Sequence, residues 1–238
     1  MDSFVHVINR GNRQMPIYKH DDDLWRMFTS LFYVNTKRLH NSFTRELKKE
    51  KIDPRSFVWP DFFGDKKPIV SIVAFTIMPN HFHLILKEIV EGGISDFMHK
   101  FSMGHSKFIN AKYNESGSLF QGAFQSKTLD TDEYLRRAAV YIMVKNTLEL
   151  YPKGGLAGAT KNFEDAWNWA VQYPFSSLCD YAGNRSSPIL EKDLLGEIFD
   201  SPQDFKEFSK DYILGRAMDD DGEFELTNIY RHGVSVDV

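Results

Sequence analysis

The sequence predicts an α+β fold in which a small antiparallel sheet is covered by helices. β-branched runs and helical periodicity alternate along the chain in the order strand, helix, strand pair, helix, strand, helix. Pro79-Asn80, a tight turn signal, separates the runs at 69–78 and 81–86, which predicts either two adjacent antiparallel strands or one strand with a tight connection. This order is typical of a ferredoxin-like antiparallel sheet with covering helices on one face. An aromatic segment and a last helical stretch follow, which predict a C-terminal helical extension.

The N-terminal part of the chain supplies three strands and one helix of this pattern. Residues 4–9 form a short β-branched run that ends at a turn signal. The acidic run 21–23 precedes apolar residues at helical spacing, as expected at a helix N-terminus. Residues 69–78 and 81–86 are apolar and β-rich, which predicts the strand pair. The intervening residues 46–67 are charged and interrupted by prolines, which predicts an exposed excursion.

The remaining elements follow the same logic. Gly92-Gly93 opens a helix whose apolar face includes Phe97 and Phe101. Residues 124–129 predict the fourth strand, 132–150 the next helix, and 202–214 the last one. We therefore expect a first domain at 1–155, with an insertion near 46–67. An extension is expected at 156–238, with a mobile tail from about residue 218.

Composition limits the class of protein. The chain has 238 residues, of which 42% are hydrophobic, and its one cysteine, Cys179, excludes an internal disulfide framework. It has no signal-peptide pattern and no run of apolar residues long enough to span a membrane, which predicts a cytoplasmic protein without a membrane partner. The net charge of -4 argues weakly against a nucleic-acid partner. Residues 100–127, however, carry four lysines and one acid, which leaves a local basic surface open.

Two features of the sequence are able to carry chemistry. His81 and His83 lie at i and i+2 of a predicted strand, so both imidazoles point to one face and can share a divalent ion. The alternative is a pair of half-exposed strand histidines without a ligand. Tyr141 lies in the predicted helix at 132–150 and shares a face with Tyr134 and Lys145. A phenol can attack phosphorus, although most such tyrosines are core residues.

Polar turns supply candidate contacts to DNA. Arg10, Asn12 and Arg13 follow the first strand, and Gln121 and Gln125 flank the glycine-bracketed loop before the fourth strand. Such residues suit phosphate and base contacts, but they also fit ordinary turn chemistry.

Five segments, in order, resemble the IS200-like transposases, in particular the REP-associated tyrosine transposases, which belong to the wider HUH group of single-strand endonucleases. The matching segments are His6-Val7-Ile8-Asn9-Arg10-Gly11-Asn12-Arg13, Met78-Pro79-Asn80-His81-Phe82-His83-Leu84, Gly117-Ser118-Leu119-Phe120-Gln121-Gly122, Tyr134-Leu135 with Tyr141-Ile142, and Tyr173-Pro174-Phe175-Ser176-Ser177. The resemblance implies a transposase that cleaves and rejoins single-stranded, hairpin-bearing DNA through a 5′-phosphotyrosine intermediate.

The resemblance also implies roles for individual residues. Tyr141 is the implied nucleophile, and His81 and His83 are implied ligands of Mg²⁺ or Mn²⁺, of which imidazole ligands favour Mn²⁺. The implied DNA-binding residues are Arg10, Asn12, Arg13, Lys107, Gln121, Gln125, Lys127 and Lys145. Relatives are dimers or monomers, so the resemblance leaves a monomer and a homodimer open.

The sequence departs from the family at the third metal ligand. Relatives carry Asn, Gln or His one turn after the tyrosine, where this chain has Lys145, an ammonium that repels a cation. Three interpretations remain. A π-bulge brings Asn146 onto the metal, or water fills the site while Lys145 contacts phosphate, or the protein is an inactive hairpin-DNA binder derived from a transposase. A fourth hypothesis is an unrelated metal hydrolase that recruits Asp96 or His105.

Overall fold

The computed structural model describes residues 3–38 and 43–215. Within these residues, one antiparallel sheet is formed by β1 (Phe4–Arg10), β2 (Val70–Ile77), β3 (His81–Glu88) and β4 (Gln125–Leu129). The strand order is β2-β3-β1-β4, and every pairing is antiparallel. This order confirms the predicted α+β, ferredoxin-like sheet.

Four of the described helices begin close to the predicted positions, at Asp21, Gly93, Asp132 and Pro202, whereas those at 43–49 and between 155 and 198 were not predicted. The described helices are α1 (Asp21–Tyr33), α2 (Phe43–Lys49), α3 (Gly93–Tyr113), α4 (Asp132–Val140), α5 (Asn146–Glu149), α6 (Gly155–Lys161), α7 (Phe163–Ala170), α8 (Leu178–Tyr181), α9 (Asp193–Ile198) and α10 (Pro202–Gly215). A π-helix at Tyr141–Lys145 joins α4 to α5, so the predicted helix at 132–150 is continuous but changes its pitch in the middle.

One face of the sheet packs against α1 and α3. Alternate residues of the strands, including Val7, Phe75 and Leu84, are fully buried on this side. Phe28 from α1 and Phe101 from α3 pack into the same cluster. Because successive side chains of a strand point to opposite faces of the sheet, these residues form one hydrophobic core, and a second core lies on the other face.

The opposite face is also covered, which corrects the expectation of helices on one face only. Phe4, Ile85 and Leu129 point to this side and pack with Leu135 of α4. The same cluster includes Phe205 and several other side chains from beyond residue 155. The extension therefore shares a hydrophobic core with the sheet, and the domain boundary at 155 stays a prediction.

The segment at 46–67 is mostly exposed, as its charges and prolines predicted, but several of its apolar side chains pack on α1. Leu47 of α2 is buried, and Phe57 packs edge-on against Phe28 at 5.6 Å between ring centroids. Trp59 stacks on Tyr33, with 6.3 Å between centroids. Aromatic contacts thus anchor this exposed segment to α1.

A buried carboxylate ties the start of α1 to the end of α3. The Asp23 side chain is fully buried and accepts hydrogen bonds from Lys112 Nζ and Tyr113 Oη, both at 2.6 Å, and from the backbone N–H groups of Lys19 and His20. Burial alone raises the pKa of this carboxyl, but the four hydrogen bonds prevail and lower it to about 2. Asp23 is therefore a charged structural clamp.

The outer edge of β2 is paired with residues 175–177. Ile77 N–H donates to the Phe175 carbonyl oxygen, and Ser177 N–H donates to that of Phe75, each at 2.9 Å. Arg185 holds this segment by donating to the Ser176 carbonyl and, through two nitrogens, to the buried Asp180 carboxylate. The extension therefore protects a sheet edge.

None of the described helices combines the length and apolar character that a membrane crossing requires. The tail predicted from about residue 218 lies outside the described residues.

Candidate active site

Three loops meet at one end of the sheet. Gly11 N–H donates to the Asn80 carbonyl oxygen at 2.7 Å, which joins the end of β1 to the β2–β3 turn. Gln121 N–H donates to the Arg10 carbonyl at 2.9 Å and Asn12 N–H donates to the Leu119 carbonyl at 2.8 Å, which ties in the loop before β4. This loop cluster frames the end of β3 where His81 and His83 lie.

The two histidines face the helix that carries Tyr141. His83 pairs with Ile8 and His81 with Arg10 across the β1–β3 ladder, so both rings lie on the face covered by α4. The ring centroids of His81 and His83 are 5.0 Å apart. The Tyr141 ring approaches His83 edge-on at 5.8 Å between centroids. The structure thus brings together the three residues predicted to be catalytic.

Each histidine ring has a neighbour at Nδ1. His83 Nδ1 lies 2.8 Å from Nε2 of His6 on β1, and the two rings stack at 5.1 Å. His81 Nδ1 lies 2.7 Å from Oδ1 of Asn80. Sequence reasoning missed both partners as site residues. For His6 the available signal was its place two residues before Ile8 in the first strand, because residues at this spacing point to the same face of a sheet.

Burial keeps these imidazoles neutral. It lowers the pKa of His81 to about 4, helped by the charges of Arg10 and Lys145. It lowers the pKa of His83 well below its ordinary value, helped by its histidine neighbours and the same two cations. It lowers the pKa of His6 to about 3, with a smaller contribution from Lys127. Neutral imidazoles are the form that binds metal ions.

Because of the π-helix, a different residue lies one helical turn after Tyr141. Asn146 N–H donates to the Tyr141 carbonyl oxygen, an i→i+5 hydrogen bond. Asn146 therefore occupies the place that residue 145 takes in a regular α-helix. It is 1% exposed, and its amide Nδ2 has no hydrogen-bond partner among the described residues. A buried polar atom left without a partner is costly and uncommon.

Lys145 remains inside the site region. Its Nζ lies 4.8 Å from the Tyr141 ring centroid and forms an ion pair with Glu149 at 2.9 Å. Its side chain is 9% exposed, so the charge is held close to the two imidazoles, whose pKa values it lowers. Arg10 and Lys145 therefore bring positive charge, partly offset by Glu149, to the imidazole site.

The predicted DNA contacts fall into three groups. Arg10, Gln121 and Gln125 line one cleft beside the histidines. Lys127 pairs with His6 across β1 and β4, and Asn12 and Arg13 lie exposed in a turn at the rim. Lys107 is exposed on α3, which packs on the other face of the sheet. The structure thus does not bring Lys107 to the histidine face.

The hydrolase hypothesis finds no support in the geometry. His105 is buried on α3 and its Nε2 lies 2.7 Å from the Ile17 carbonyl oxygen. Asp96, also on α3, pairs with Lys100 at 2.7 Å. Among residues 3–38 and 43–215, no three His, Cys, Asp or Glu side chains cluster as a metal site.

One family model matches part of the chain. Residues 64–145 match the family model described as "Transposase IS200 like". This segment runs from before β2 to Lys145 and contains His81, His83 and Tyr141. The match confirms the resemblance inferred from the sequence motifs.

A solved structure described as the REP-associated tyrosine transposase bound to a REP hairpin is also similar. The TM-score is 0.39 at 13% identity, and the alignment covers 79% of this chain and 83% of that chain. A likeness of this size does not by itself establish a shared activity. No curated protein matches the chain.

Proposed function

We propose, from the match of residues 64–145 to the IS200-like transposase family model, that this chain cleaves and rejoins single-stranded DNA. The family match supports a transposase-type function. The finer proposal is a metal-dependent tyrosine transposase that acts on hairpin-bearing DNA. One observation carries it: the Tyr141 ring lies 5.8 Å from the ring of His83, which in turn lies 5.0 Å from that of His81.

Tyr141 is the proposed nucleophile. Its phenol oxygen bonds to the phosphorus of one phosphodiester while the bond from phosphorus to the 3′-oxygen breaks. The phenol gives up a proton and the departing 3′-oxygen gains one, so the step balances. The product is a 5′-phosphotyrosine and a free 3′-OH. Because the covalent link retains the phosphodiester energy, the 3′-OH of another strand can displace Tyr141 and join the DNA.

The donor set supports a divalent cation. His81 and His83 are neutral at physiological pH because burial lowers their pKa values. Asn146 is the proposed third ligand, since its unpartnered amide offers an oxygen after a 180° turn of the side chain. Mg²⁺ or Mn²⁺ bound there supplies a Lewis acid that polarises the phosphate. The imidazoles favour Mn²⁺.

The loop cluster is the proposed DNA interface. Arg10 and Gln121 line the cleft beside the histidines, where a cationic and an amide side chain suit phosphate and base edges. Gln125 in the same cleft has a buried amide oxygen with no partner among the described residues, ready to accept from a base. Asn12, Arg13, Lys127 and, on the far face, Lys107 are the remaining proposed contacts.

A second candidate function is hairpin-DNA binding without cleavage. Lys145 is the observation that favours it, because its ammonium lies beside Tyr141 and opposes a divalent ion. In this alternative Lys145 binds a phosphate directly, which keeps affinity and removes the chemistry.

A covalent adduct distinguishes the two functions. A single-stranded oligonucleotide with a hairpin, labelled at its 3′ end, is incubated with the protein and Mn²⁺ and run on a denaturing gel. We expect a labelled protein–DNA band that disappears in Tyr141→Phe. Tyr134→Phe is the matched control, because it removes a hydroxyl from the same helix and retains the band. Tight hairpin binding without any adduct favours the second function.

A further inference from the structure

We propose that His6 and Asn80 are positioning residues that hold His83 and His81 in one tautomer. Each accepts a hydrogen bond from the Nδ1–H of its histidine and so leaves the Nε2 lone pair of that ring for a cation. This inference rests on the proposed function, in which the two histidines are metal ligands.

The geometry at His81 allows one assignment. The Asn80 side chain donates from Nδ2 to the Gln14 carbonyl oxygen at 3.3 Å, which fixes the orientation of its amide. Oδ1 therefore faces His81 Nδ1 at 2.7 Å. An amide oxygen only accepts, so His81 carries its hydrogen on Nδ1 and its lone pair on Nε2.

The pair of His6 and His83 shares one hydrogen. Both rings are 1% exposed, and a separation of 2.8 Å between two neutral nitrogens requires one donor and one acceptor. If His83 accepts, its hydrogen moves to Nε2, where no described residue accepts it. If His83 donates, His6 accepts and His83 Nε2 is free. Each arrangement leaves one ring N–H without an acceptor among the described residues, Nε2–H of His83 in the first and Nδ1–H of His6 in the second. A ligand role for His83 selects the second arrangement, because only that one leaves the Nε2 lone pair of His83 for a cation.

His6 and Asn80 therefore have the same effect on the tautomers of His83 and His81. Both histidines present Nε2, the ring nitrogen at which no described residue makes a hydrogen bond. Hydrogen bonds of this kind raise the basicity of a ligating imidazole and fix its orientation. Loss of such a partner typically lowers metal affinity by about 10- to 100-fold.

Nuclear magnetic resonance of the metal-free protein tests the assignment directly. The full chain is labelled with ¹⁵N-histidine, and the ring nitrogen shifts report which nitrogen carries the hydrogen. We expect the Nδ1–H tautomer for His81 and His83. His105 is the internal reference, because its Nε2 must donate to the Ile17 carbonyl, which gives the opposite tautomer. The Nε2–H form at His83 overturns the proposal.

Two matched variants of His6 separate the hydrogen bond from the bulk of the ring. Glutamine retains an acceptor and methionine does not. We expect His6→Met to populate both tautomers of His83 and to weaken Mn²⁺ binding in calorimetry by about 10-fold or more. We expect His6→Gln to retain most of the affinity. Equal losses in two folded variants contradict a role as acceptor.

Asn80→Ala provides an independent test at the less buried end of the site. It removes the acceptor beside His81 but leaves the backbone carbonyl that binds Gly11. We expect a mixed tautomer at His81 and an unchanged one at His83, and an unchanged His81 counts against the proposal. These readouts need no DNA. If His81 and His83 have the expected tautomers but no protein–DNA adduct forms, the proposed function is refuted and the proposal about His6 and Asn80 is not.

Discussion

Replacing Asn146 by leucine separates stability from metal binding. The two side chains have nearly the same shape, so the change removes the polar atoms without opening a cavity. Asn146 is 1% exposed and its Nδ2 has no partner among the described residues. If the amide is kept for a cation, the metal-free protein gains stability when the amide is lost.

The size of the gain follows from two terms. A buried donor without a partner costs about 1–3 kcal/mol, which Asn146→Leu recovers. Leucine is also a better helix former than asparagine by about 0.5 kcal/mol. The expected increase in the free energy of unfolding is thus about 2 kcal/mol. For a chain of 238 residues this raises Tm by about 4–8 °C.

Thermal unfolding with and without Mn²⁺ measures both effects. Wild type should gain stability with Mn²⁺, by about 2.7 kcal/mol at a concentration of 100 times Kd. Asn146→Leu should lose most of that gain. Thr147→Val is the control, because its buried hydroxyl donates to the Met143 carbonyl at 2.7 Å. It should lower stability by about 1 kcal/mol, the opposite sign.

The reasoning fails if Asn146→Leu destabilises the metal-free protein, or gains no more than the propensity term of about 0.5 kcal/mol. Either result means that the amide already has a structural role. An unchanged response to Mn²⁺ would separately exclude Asn146 as a ligand.

Three further perturbations test other parts of the structure. Because the pKa of Asp23 is lowered from 3.8 to about 2, its stabilisation is present above pH 4 and disappears as pH falls towards 2. Urea unfolding should show Asp23→Asn to be less stable than wild type by about 2 kcal/mol at pH 7, and a gap that persists at pH 2 would contradict this. Lys145→Gln should strengthen Mn²⁺ binding in calorimetry on the order of 10-fold, because a like charge is removed, and weaker binding would refute the electrostatic argument. Arg185→Met leaves the buried Asp180 carboxylate without its main partner and should cost about 3–5 kcal/mol in denaturant unfolding, whereas a loss under about 1 kcal/mol would show that the pair is dispensable.

Much of the fold was predictable because its signals are local. Alternating apolar residues indicated the strands, and i, i+3, i+4 spacing indicated the long helices. The shared orientation of His81 and His83 follows from the two-residue period of a strand. Such periodicity depends only on neighbours in the chain, so a single sequence carries it.

The remaining features depend on partners distant in sequence. The packing of Phe57 and Trp59 on α1 required knowing which surface they meet, and neither charge nor proline content points to it. The second helical layer uses side chains from beyond residue 155, whose pairing with the sheet has no local signature. The π-helix was one of three open interpretations, because its run from Ile142 to Val144 is apolar and reads equally well as ordinary helix.

The π-helix at Tyr141–Lys145 affects how such sequences are aligned. An alignment without a gap places Lys145 in the column that the resemblance assigns to the third metal ligand. The sequence then resembles that of an inactive enzyme. Inserting a single gap within 142–145 restores the downstream phase and pairs Asn146, the proposed third ligand, with that column. If Asn146 has that proposed role, alignments that score columns rather than helical phase will assign the ligand position to the wrong residue in any chain that shares this one-residue insertion.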